Sequence, residues 1–503
     1  MTGPGQLASV DAFAASRDLF ETVLGWLAGQ PAGGLEHSQL EARLQTDARE
    51  VFRQLFQDHL DLRAAREQRI GDVVDADQVA HPNTEPGHTR GLATVFGQVL
   101  VTRIAYRARG RTNLHPADGV LNLPAEEYSH GLRRLAAVEA SRGSYDGAVE
   151  AIERGAGQQI GKRQVEQLAH RSAVDADEFY RGRQPPAGSS SDPLVLSCDG
   201  KGVVMRPDAL RPATAAAAAK TRPKLTTRLS KGEKRNRKRM AEVGTVFDAT
   251  TAPRSSADIL PTNDTERAQA DPGPATSNKW LTASIVADAA SVVAQIFAEA
   301  DRRDPTHART WVALVDGNNH QIERITAEAY ARTVPITIVI DFIHALEYIW
   351  KAAWCFHREG DPAAEDWVRH HARAVLHGKA TRVAGAIRRA ATIAGLNEPQ
   401  RAGADACAVY LTNKARYLDY PTALATGWPI ATGVIEGACR HLVKDRMDLT
   451  GARWGLPGAE TILKLRAIRS NGDFDDYWRY HLAQERHRVH ESRYAQDVIP
   501  QAA

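Results

Sequence analysis

The sequence predicts an α/β core, a mixed sheet flanked by helices, that follows a mainly helical N-terminal region. Short apolar runs at 194–199, 239–250, 311–315 and 336–340 have the length and composition of strands. The last two runs alternate with helical patterns, which indicates parallel pairing with helices on the sheet faces. At 503 residues the chain is too long for one hydrophobic core, so several domains are expected.

The composition is that of a globular protein, with 43% hydrophobic and 25% charged residues. The net charge is only +3, so affinity for a polyanion has to come from local clusters. No two of the four cysteines have CxxC spacing, which argues against a structural zinc site and a disulfide framework. We find neither a signal peptide nor an apolar run of roughly 20 residues, so a cytoplasmic protein without membrane contact is expected.

Residues 1–75 are expected to form a helical region. Its helix at 38–66 carries apolar residues at three- and four-residue steps, with charges between them. This stripe is compatible with an oligomerisation seam and with a helix packed on its own domain, and the small number of heptads favours the second interpretation. The stripe consists of Leu40, Leu44, Val51, Leu55 and Leu62.

Residues 76–125 are predicted to combine a linker with a small β-hairpin. The polar segment 81–91 contains Pro and Gly and is typical of a linker. The segment 94–107 is rich in β-branched residues and is interrupted at Gly97, which indicates the hairpin.

Residues 126–188 have the pattern of a helix-turn-helix, in which the last helix enters the major groove of DNA. Helices are expected at 131–140, from an N-cap at Ser144 to Arg154, and at 162–171. An ordinary helical hairpin with a solvated basic face explains this stretch equally well. The predicted small core is Ala148, Ile152, Ile160, Val165 and Leu168. The outward-facing candidate DNA contacts are Lys162, Arg163, Gln167 and Arg171.

The first part of the α/β core is expected at 191–345, after a linker rich in Pro, Gly and Ser. Its first strand lies in LVLSCDGKG (194–202) and ends in Asp199, followed by a Gly-Lys-Gly turn. Residues 203–206 are expected to pair back on this strand as a tight hairpin.

A polar, basic insertion is predicted at 207–238. Between Lys220 and Arg239 there are ten Lys or Arg residues and one acid. A solvated loop is the alternative, but this density of charge favours contact with a polyanion. The candidate DNA-binding residues of the insertion are Lys231, Lys234, Arg235 and Arg237.

The remaining predicted strands and helices complete the order of elements along the core. Strands at 311–315 and 336–340 end in Asp316 and Asp341. The expected order of three strands, helix, strand, helix and strand matches the ribonuclease H-like fold. The other expected elements are a strand at 239–250, a loop at 251–278, helices at 280–303 and 322–332, a helical insertion at 346–427, the second part of the core at 428–480, and a polar C-terminal tail at 481–503.

Three carboxylates have the placement required for a two-metal site. Asp199 and Asp316 follow strands that are neighbours in such a sheet, and Glu436 lies on a helix expected to cross the same edge. Two divalent cations about 4 Å apart can activate a nucleophile and stabilise the leaving oxygen in phosphodiester cleavage, and hard cations require oxygen ligands. Arg440 and Lys444 follow Glu436 at four-residue steps, so they share its helix face and could contact phosphates.

Each of these residues also has a simpler explanation. Asp-Gly is a common turn after a strand, and Glu436 with Arg440 could be a surface ion pair of little energetic value. Asp341 and His344 form a further pair, with a supporting role favoured over a replacement of Asp316. The alternative to a supporting role is that Asp341 is a helix N-cap and His344 a packed side chain.

Six segments between 197 and 478 carry the motifs of a known family. They are SCDGKGV (197–203), KRMAEVGTVFD (238–248), LVDGNNHQ (314–321), VIDFIHALEYIWKAA (339–353), GVIEGACRHLVKDRMDLTGARW (433–454) and GAETILKLRAIRSNGDFDDYW (458–478). Through them the chain resembles the DDE transposases of bacterial insertion sequences, and it looks closest to the ISKra-type group. The N-terminal 190 residues match less specifically.

The resemblance implies a ribonuclease H-like core whose catalytic and metal-binding set falls on Asp199, Asp316 and Glu436. It also implies two Mg²⁺ ions, with Mn²⁺ as a substitute, and double-stranded DNA partners, namely terminal inverted repeats and target DNA. A homo-oligomer associated with the nucleoid is expected. Relatives often have a cysteine-rich, zinc-binding N-terminal half, whereas 113–124 contains no cysteine, so no zinc is expected there. The rival hypotheses are a catalytically silent DNA-binding regulator and a nuclease that performs no strand transfer.

Overall fold

The structure is a computed structural model that describes residues 11–186, 188–220, 222, 225, 236–449 and 451–501. The strands are β1 (Asn83–Ala93), β2 (Gln98–Arg107), β3 (Leu194–Val204), β4 (Lys238–Ala249), β5 (Thr276–Ser284), β6 (Trp311–Val315) and β7 (Ile336–Ile340). The helices are α1 (Ala14–Ala28), α2 (Gln30–Gly33), α3 (His37–Arg66), α4 (Pro116–Val120), α5 (His130–Arg142), α6 (Tyr145–Ala156), α7 (Lys162–Arg171), α8 (Ala176–Gly182), α9 (Pro212–Lys220), α10 (Ser256–Ile259), α11 (Asp264–Gln269), α12 (Ala289–Arg303), α13 (Asn319–Arg332), α14 (Phe342–Ala353), α15 (Pro362–Leu376), α16 (Ala380–Ile393), α17 (Glu398–Asn413), α18 (Tyr420–Ala425), α19 (Gly433–Ala438), α20 (Asp445–Met447), α21 (Leu456–Ser470) and α22 (Phe474–Val489).

The chain divides into two units. The first consists of Met1–Tyr180 with Asp473–Ala503, and the second of Arg181–Gly472. The segment expected as a C-terminal tail therefore belongs to the first unit, where α22 is a regular helix. In the part of the chain that the structure describes, no helix is long and apolar enough to cross a bilayer.

In the first unit, the end of α3 packs on an antiparallel hairpin of β1 and β2. The hairpin was predicted, but its first strand, Asn83–Ala93, covers most of the segment expected to be a linker. That prediction was wrong because most residues of β1 are exposed, so the strand carries almost no apolar alternation. The core between helix and hairpin is formed by Leu60, Leu92, Val99, Val101 and Leu123.

The helices α5, α6 and α7 pack against one another, with bounds close to those predicted. Ser144 caps α6 as expected, since its hydroxyl accepts a hydrogen bond from the N–H of Gly147 at 3.0 Å. Amphipathic periodicity identified this core because each helix buries a single stripe. All five predicted core residues are at most 3% exposed: Ala148, Ile152, Ile160, Val165 and Leu168.

In the second unit, a mixed five-stranded sheet has the order β5-β4-β3-β6-β7. β3, β4 and β5 form an antiparallel meander, while β6 and β7 run parallel to β3. Helices flank this sheet, with α12 against β3 and β4 and α21 against β5. The predicted mixed sheet flanked by helices is therefore confirmed.

Two details of the meander were predicted wrongly. β3 does not turn after Asp199, because β4 pairs with it along its whole length, from Leu194 with Asp248 to Val204 with Lys238. The third strand is β5, which lies in residues expected to be a loop and the start of a helix. Its first half is exposed and polar, so the sequence lacks the apolar run that marks a strand.

A buried charge network fixes α22 within the first unit. The guanidinium of Arg133 is fully buried and donates to Glu126 at 2.7 Å and to Glu485 of α22 at 2.9 Å. His481 lies 3.3 Å from the same guanidinium, and its other ring nitrogen is 2.7 Å from Asp175. Such a network stabilises a fold only while every charge keeps its partner.

We predict that Arg133→Ala destabilises the protein by up to about 3–5 kcal/mol, because Glu126 and Glu485 lose their buried cation and keep as partners the half-exposed Arg171 and Arg488. The neighbouring Arg134 is the matched control. It also pairs with a residue of α22, Asp475, but both side chains are exposed, so Arg134→Ala should cost less than about 1 kcal/mol. Urea unfolding followed by circular dichroism measures both, and equal losses would contradict the prediction.

Candidate active site at the sheet edge

The parallel register of the sheet brings three aspartates to one edge. Ser197 of β3 pairs with Leu314 of β6, which pairs with Val339 of β7. Two residues beyond this row on every strand there is an aspartate. Parallel strands keep their register, so Asp199, Asp316 and Asp341 follow one another across the sheet, as the sequence predicted for the first two.

Asp199 is half-buried within β3. Its Oδ1 accepts a hydrogen bond from the N–H of Gly200 at 2.7 Å, and its Oδ2 accepts one from Cys439 Sγ at 3.4 Å. Burial raises the pKa of Asp199, and the negative charge of Asp316 raises it further. A carboxylate held in this way favours binding of a cation or a proton.

Asp316 is partly exposed in the loop between β6 and α13. Its Oδ1 accepts from the N–H of Asn318 at 2.8 Å, and its carbonyl accepts from the hydroxyl of Tyr410 at 3.4 Å. The next residue has to be glycine, because Gly317 has φ +94° and a Cβ there would lie 2.9 Å from that hydroxyl. The chain thus leaves β6 in a fixed direction.

Lys414 supplies a positive charge near this loop. It lies at the end of α17, is only 8% exposed, and its Nζ contacts the side-chain oxygen of Asn319. Burial lowers the pKa of Lys414, and the charge of Asp316 opposes that change. The helical insertion therefore brings both Tyr410 and Lys414 to the edge that carries the aspartates.

Asp341 and Glu436 are joined through one hydroxyl. The Oγ1 of Thr432 lies 2.6 Å from Asp341 Oδ2 and 2.9 Å from Glu436 Oε1. Asp341 is 2% exposed and also caps α14 by accepting from the N–H of Ile343 at 2.9 Å. Burial raises the pKa of Asp341, and the charge of Glu436 raises it further. Glu436 itself is exposed, in the first turn of α19.

The helix that carries Glu436 changes form directly after it. α19 continues as a π-helical segment, Cys439–Lys444, an uncommon conformation that recurs at functional sites. This segment carries Cys439, the donor to Asp199, and the exposed side chains of Arg440 and Lys444. One short stretch thus supplies Glu436, the contact to Asp199 and two cations open to solvent.

A fifth acid at this edge, Glu242, was missed. It lies on β4 opposite Gly200, where a Cβ would come within 3.3 Å of Glu242 Oε2. Burial raises the pKa of Glu242, the positive charge of Arg211 lowers it, and the charge of Asp199 raises it. An acid between apolar residues of a strand was the available signal, but only strand pairing shows that Glu242 lies beside Asp199.

His344, predicted to support the site, packs among aromatic side chains. His344 is half-buried, with its ring against Tyr348 and Tyr410 and its Nδ1 3.8 Å from Glu347. His344 makes no hydrogen bond to Asp341. In the structure Asp341 is therefore a helix N-cap, and His344 is a packed side chain. Among the described residues, no three His, Cys, Asp or Glu side chains are grouped closely enough to hold a metal ion.

The four candidate DNA contacts on α7 all face solvent: Lys162, Arg163, Gln167 and Arg171. Two of them already have acidic partners. Lys162 pairs with Asp146 at 2.5 Å, and Arg171 contacts Glu126. Of the basic insertion, Arg237 is exposed, whereas Lys231, Lys234 and Arg235 lie outside the described residues.

No family model and no curated protein matches the chain.

We predict that Thr432→Val lowers the free energy of unfolding by about 1–3 kcal/mol, because Asp341 stays buried without this hydroxyl. Valine has nearly the shape of threonine, so packing changes little. Thr432→Ser keeps the hydroxyl and should recover most of the loss. Thermal and urea unfolding test this, and a valine variant as stable as the serine variant would exclude the bridging role.

We also predict a pH-dependent gain in stability for Asp199→Asn in the presence of a chelator. The folded state raises the pKa of Asp199 above its ordinary value of 3.8, so the charged form destabilises the fold. This cost is absent below pH 3.8 and grows as the pH rises through the folded pKa. The Asn variant should therefore melt above wild type at pH 7 and close to it near pH 4.

Asp288→Asn is the control of opposite sign. The N–H of Ser291 donates to Asp288 and lowers its pKa, so that carboxylate stabilises the fold at neutral pH. The Asp288 variant should melt below wild type at pH 7, with the difference shrinking in acid. A change of melting temperature with the same sign in both variants at pH 7 would contradict the prediction.

Proposed function

We propose that the chain is a DDE-type transposase, similar to the ISKra-type group, that cuts DNA and transfers the cut strand. The observation that carries this proposal is the assembly of Asp199, Asp316 and Asp341 at one sheet edge, with Glu436 held to Asp341 through Thr432. The motifs of the family resemblance contain all four acids. The enzyme class, the DNA substrate and the metal ions are all parts of the proposal.

The architecture supports a ribonuclease H-like core. In this proposal the antiparallel meander, the two parallel strands and the flanking helices form that core, and α15–α18 form an insertion before the catalytic glutamate. Acids at the carboxyl ends of parallel strands are well positioned for chemistry, because the strands are rigid and their ends meet in one crevice.

The donor chemistry of the edge fits Mg²⁺. The candidate ligands offer carboxylate oxygens, which hard cations prefer, and the half-buried Asp199 has its pKa raised partly by the charge of Asp316. Asp199, Asp316 and Glu436 would hold the two ions, and a shift of their side chains towards one another would accompany binding. Bound Mg²⁺ would supply an activated nucleophile and charge stabilisation at the leaving oxygen.

Asp341 fits a positioning role better than a ligand role. It is 2% exposed and already caps α14, whereas Asp316 is partly open to solvent. In the proposal Asp341 and Thr432 orient Glu436. Lys414 balances charge near Asp316, and Arg440 and Lys444 contact the DNA backbone beside the reacting phosphate.

DNA would contact α7 of the first unit and the basic insertion of the second unit. The exposed face of α7 is proposed to enter the major groove at the terminal inverted repeats, with Arg163 and Gln167 as base-reading residues. The basic residues near 220–239 are proposed to neutralise phosphates, which makes affinity dependent on salt. Such a protein would act in the cytoplasm on the nucleoid.

The test is cleavage and strand transfer on labelled duplexes that carry the ends of the encoding element, with Mg²⁺ or Mn²⁺. We expect wild type to cut and join. We expect Asp199→Ala, Asp316→Ala and Glu436→Ala to bind the same duplex and leave it uncut, with losses of at least about a thousandfold. Asp341→Ala should retain partial activity, because it removes only the support of Glu436.

Each other outcome has a defined meaning. An inactive Asp341→Ala beside an active Asp316→Ala exchanges the roles of these two acids. Cleavage without joined products indicates a nuclease, and binding by wild type without any cleavage indicates a regulator. Arg163→Ala is the matched control for binding, because it should weaken association with the ends and leave the sheet edge unchanged.

A further inference from the structure

The N-terminal helical hairpin carries an apolar groove on its surface. The groove runs between α1 and α3 and has a volume of about 500 Å³. Six large apolar side chains along it are 36–53% exposed, which is unusual for neighbouring residues of this type on one face. They are Phe20, Leu24, Leu27, Leu44, Phe52 and Leu55.

The hairpin holds this groove in a defined shape. α1 and α3 are antiparallel, since Ser16 contacts Asp58 at one end and Arg43 lies over the Trp26 ring at 5.1 Å at the other. The N–H of Ser16 donates to the buried carboxylate of Asp58 at 3.0 Å. A buried polar contact of this kind fixes the register of two helices, so the groove exists before any partner binds.

Packing among the described residues leaves most of α1 exposed. Ser16 is the one buried residue of this 15-residue helix in the described structure. α3 packs on the β-hairpin through Leu60 near its C-terminal end, while its groove-facing side remains open. An amphipathic helix of this length gains most of its stability by burying its apolar face, so α1 lacks the packing it needs.

We propose that a second copy of this chain covers the groove, so that two hairpins form a four-helix bundle about a two-fold axis. On α1 the positions Arg17, Phe20, Leu24 and Leu27 follow steps of three and four residues, the spacing of a helix-packing seam. A two-fold axis brings the same surface together from both copies, and an apolar stripe in the middle of the hairpin is complementary to itself.

The charges at the ends of the groove fit the same partner. Arg17 lies at the end near Asp58, and Glu41 precedes Leu44 at the opposite end. Both are open to solvent, with side chains 66% and 71% exposed, and each lies near an exposed partner on its own chain, Asp11 at 3.1 Å from Arg17 and His37 at 3.6 Å from Glu41. Exposed pairs of this kind contribute little to stability, so they can be exchanged for contacts across an interface. A two-fold axis across the middle of the hairpin brings Arg17 of each copy towards Glu41 of the other, so opposite charges meet at both ends.

The first test is sedimentation of the full-length protein over a concentration series, without DNA. Wild type should dimerise, and Leu24→Glu should raise the dimer dissociation constant at least about tenfold, because each interface would then bury a charge in place of a leucine. Ile393→Glu is the matched control, since Ile393 is 86% exposed on α16 in the second unit. It should leave the dimer unchanged.

The second test addresses the two-fold arrangement with charge reversals at exposed positions, which leave the fold intact. Arg17→Glu alone and Glu41→Arg alone should each weaken self-association. An equimolar mixture should restore it, because a mixed dimer has an attractive pair at both ends. Circular dichroism verifies the fold of every variant.

A wild-type protein that stays monomeric overturns the proposal, as does a Leu24→Glu variant that associates as well as Ile393→Glu. Failure of the mixture to recover association overturns the two-fold arrangement. These outcomes are independent of catalysis, so they leave the proposed function untouched.

Discussion

The candidate site depends on the parallel register of β3, β6 and β7. Because these strands start their pairing at matched residues, the residues two places beyond Ser197, Leu314 and Val339 are neighbours, and all three are aspartates. A shift of one residue in either pairing would turn the carboxylate of one strand to the opposite face of the sheet. The buried apolar runs that hold this register, above all Trp311–Val315, are therefore as necessary to the site as the acids.

The same register creates an electrostatic cost. Burial raises the pKa of Asp199, Asp341 and Glu242, and in each case a neighbouring carboxylate raises it further. The fold reduces this cost with local donors, such as the hydroxyl of Thr432 and the thiol of Cys439, and at Glu242 also with the positive charge of Arg211. Neutral donors orient a carboxylate and leave its charge in place, which is the property that a site for cations requires.

The sequence predicted the parts of this arrangement that depend on local patterns. Asp316 and Asp341 each follow a continuous apolar run, so their location at strand ends could be inferred from periodicity. The helical core around Ile152 and Val165 was predictable for the same reason, as one stripe of each amphipathic helix is buried. The expected turn after Asp199 was wrong, since Gly-Lys-Gly is compatible with a turn and with a strand, and only pairing with β4 decides between them.

The residues that sequence analysis missed act through contacts distant in the chain. Thr432 stands 91 residues from Asp341, and Cys439 stands 240 residues from Asp199. No spacing rule connects such pairs, because their approach is produced by the packing of α19 and the following π-helical segment on β3 and β4. The N-terminal groove also depends on contacts that the sequence does not reveal. Periodicity identified an apolar stripe on α3, but only the structure shows that the hairpin leaves it uncovered. A pattern of apolar residues thus defines a surface, and tertiary contacts decide whether that surface is core or interface.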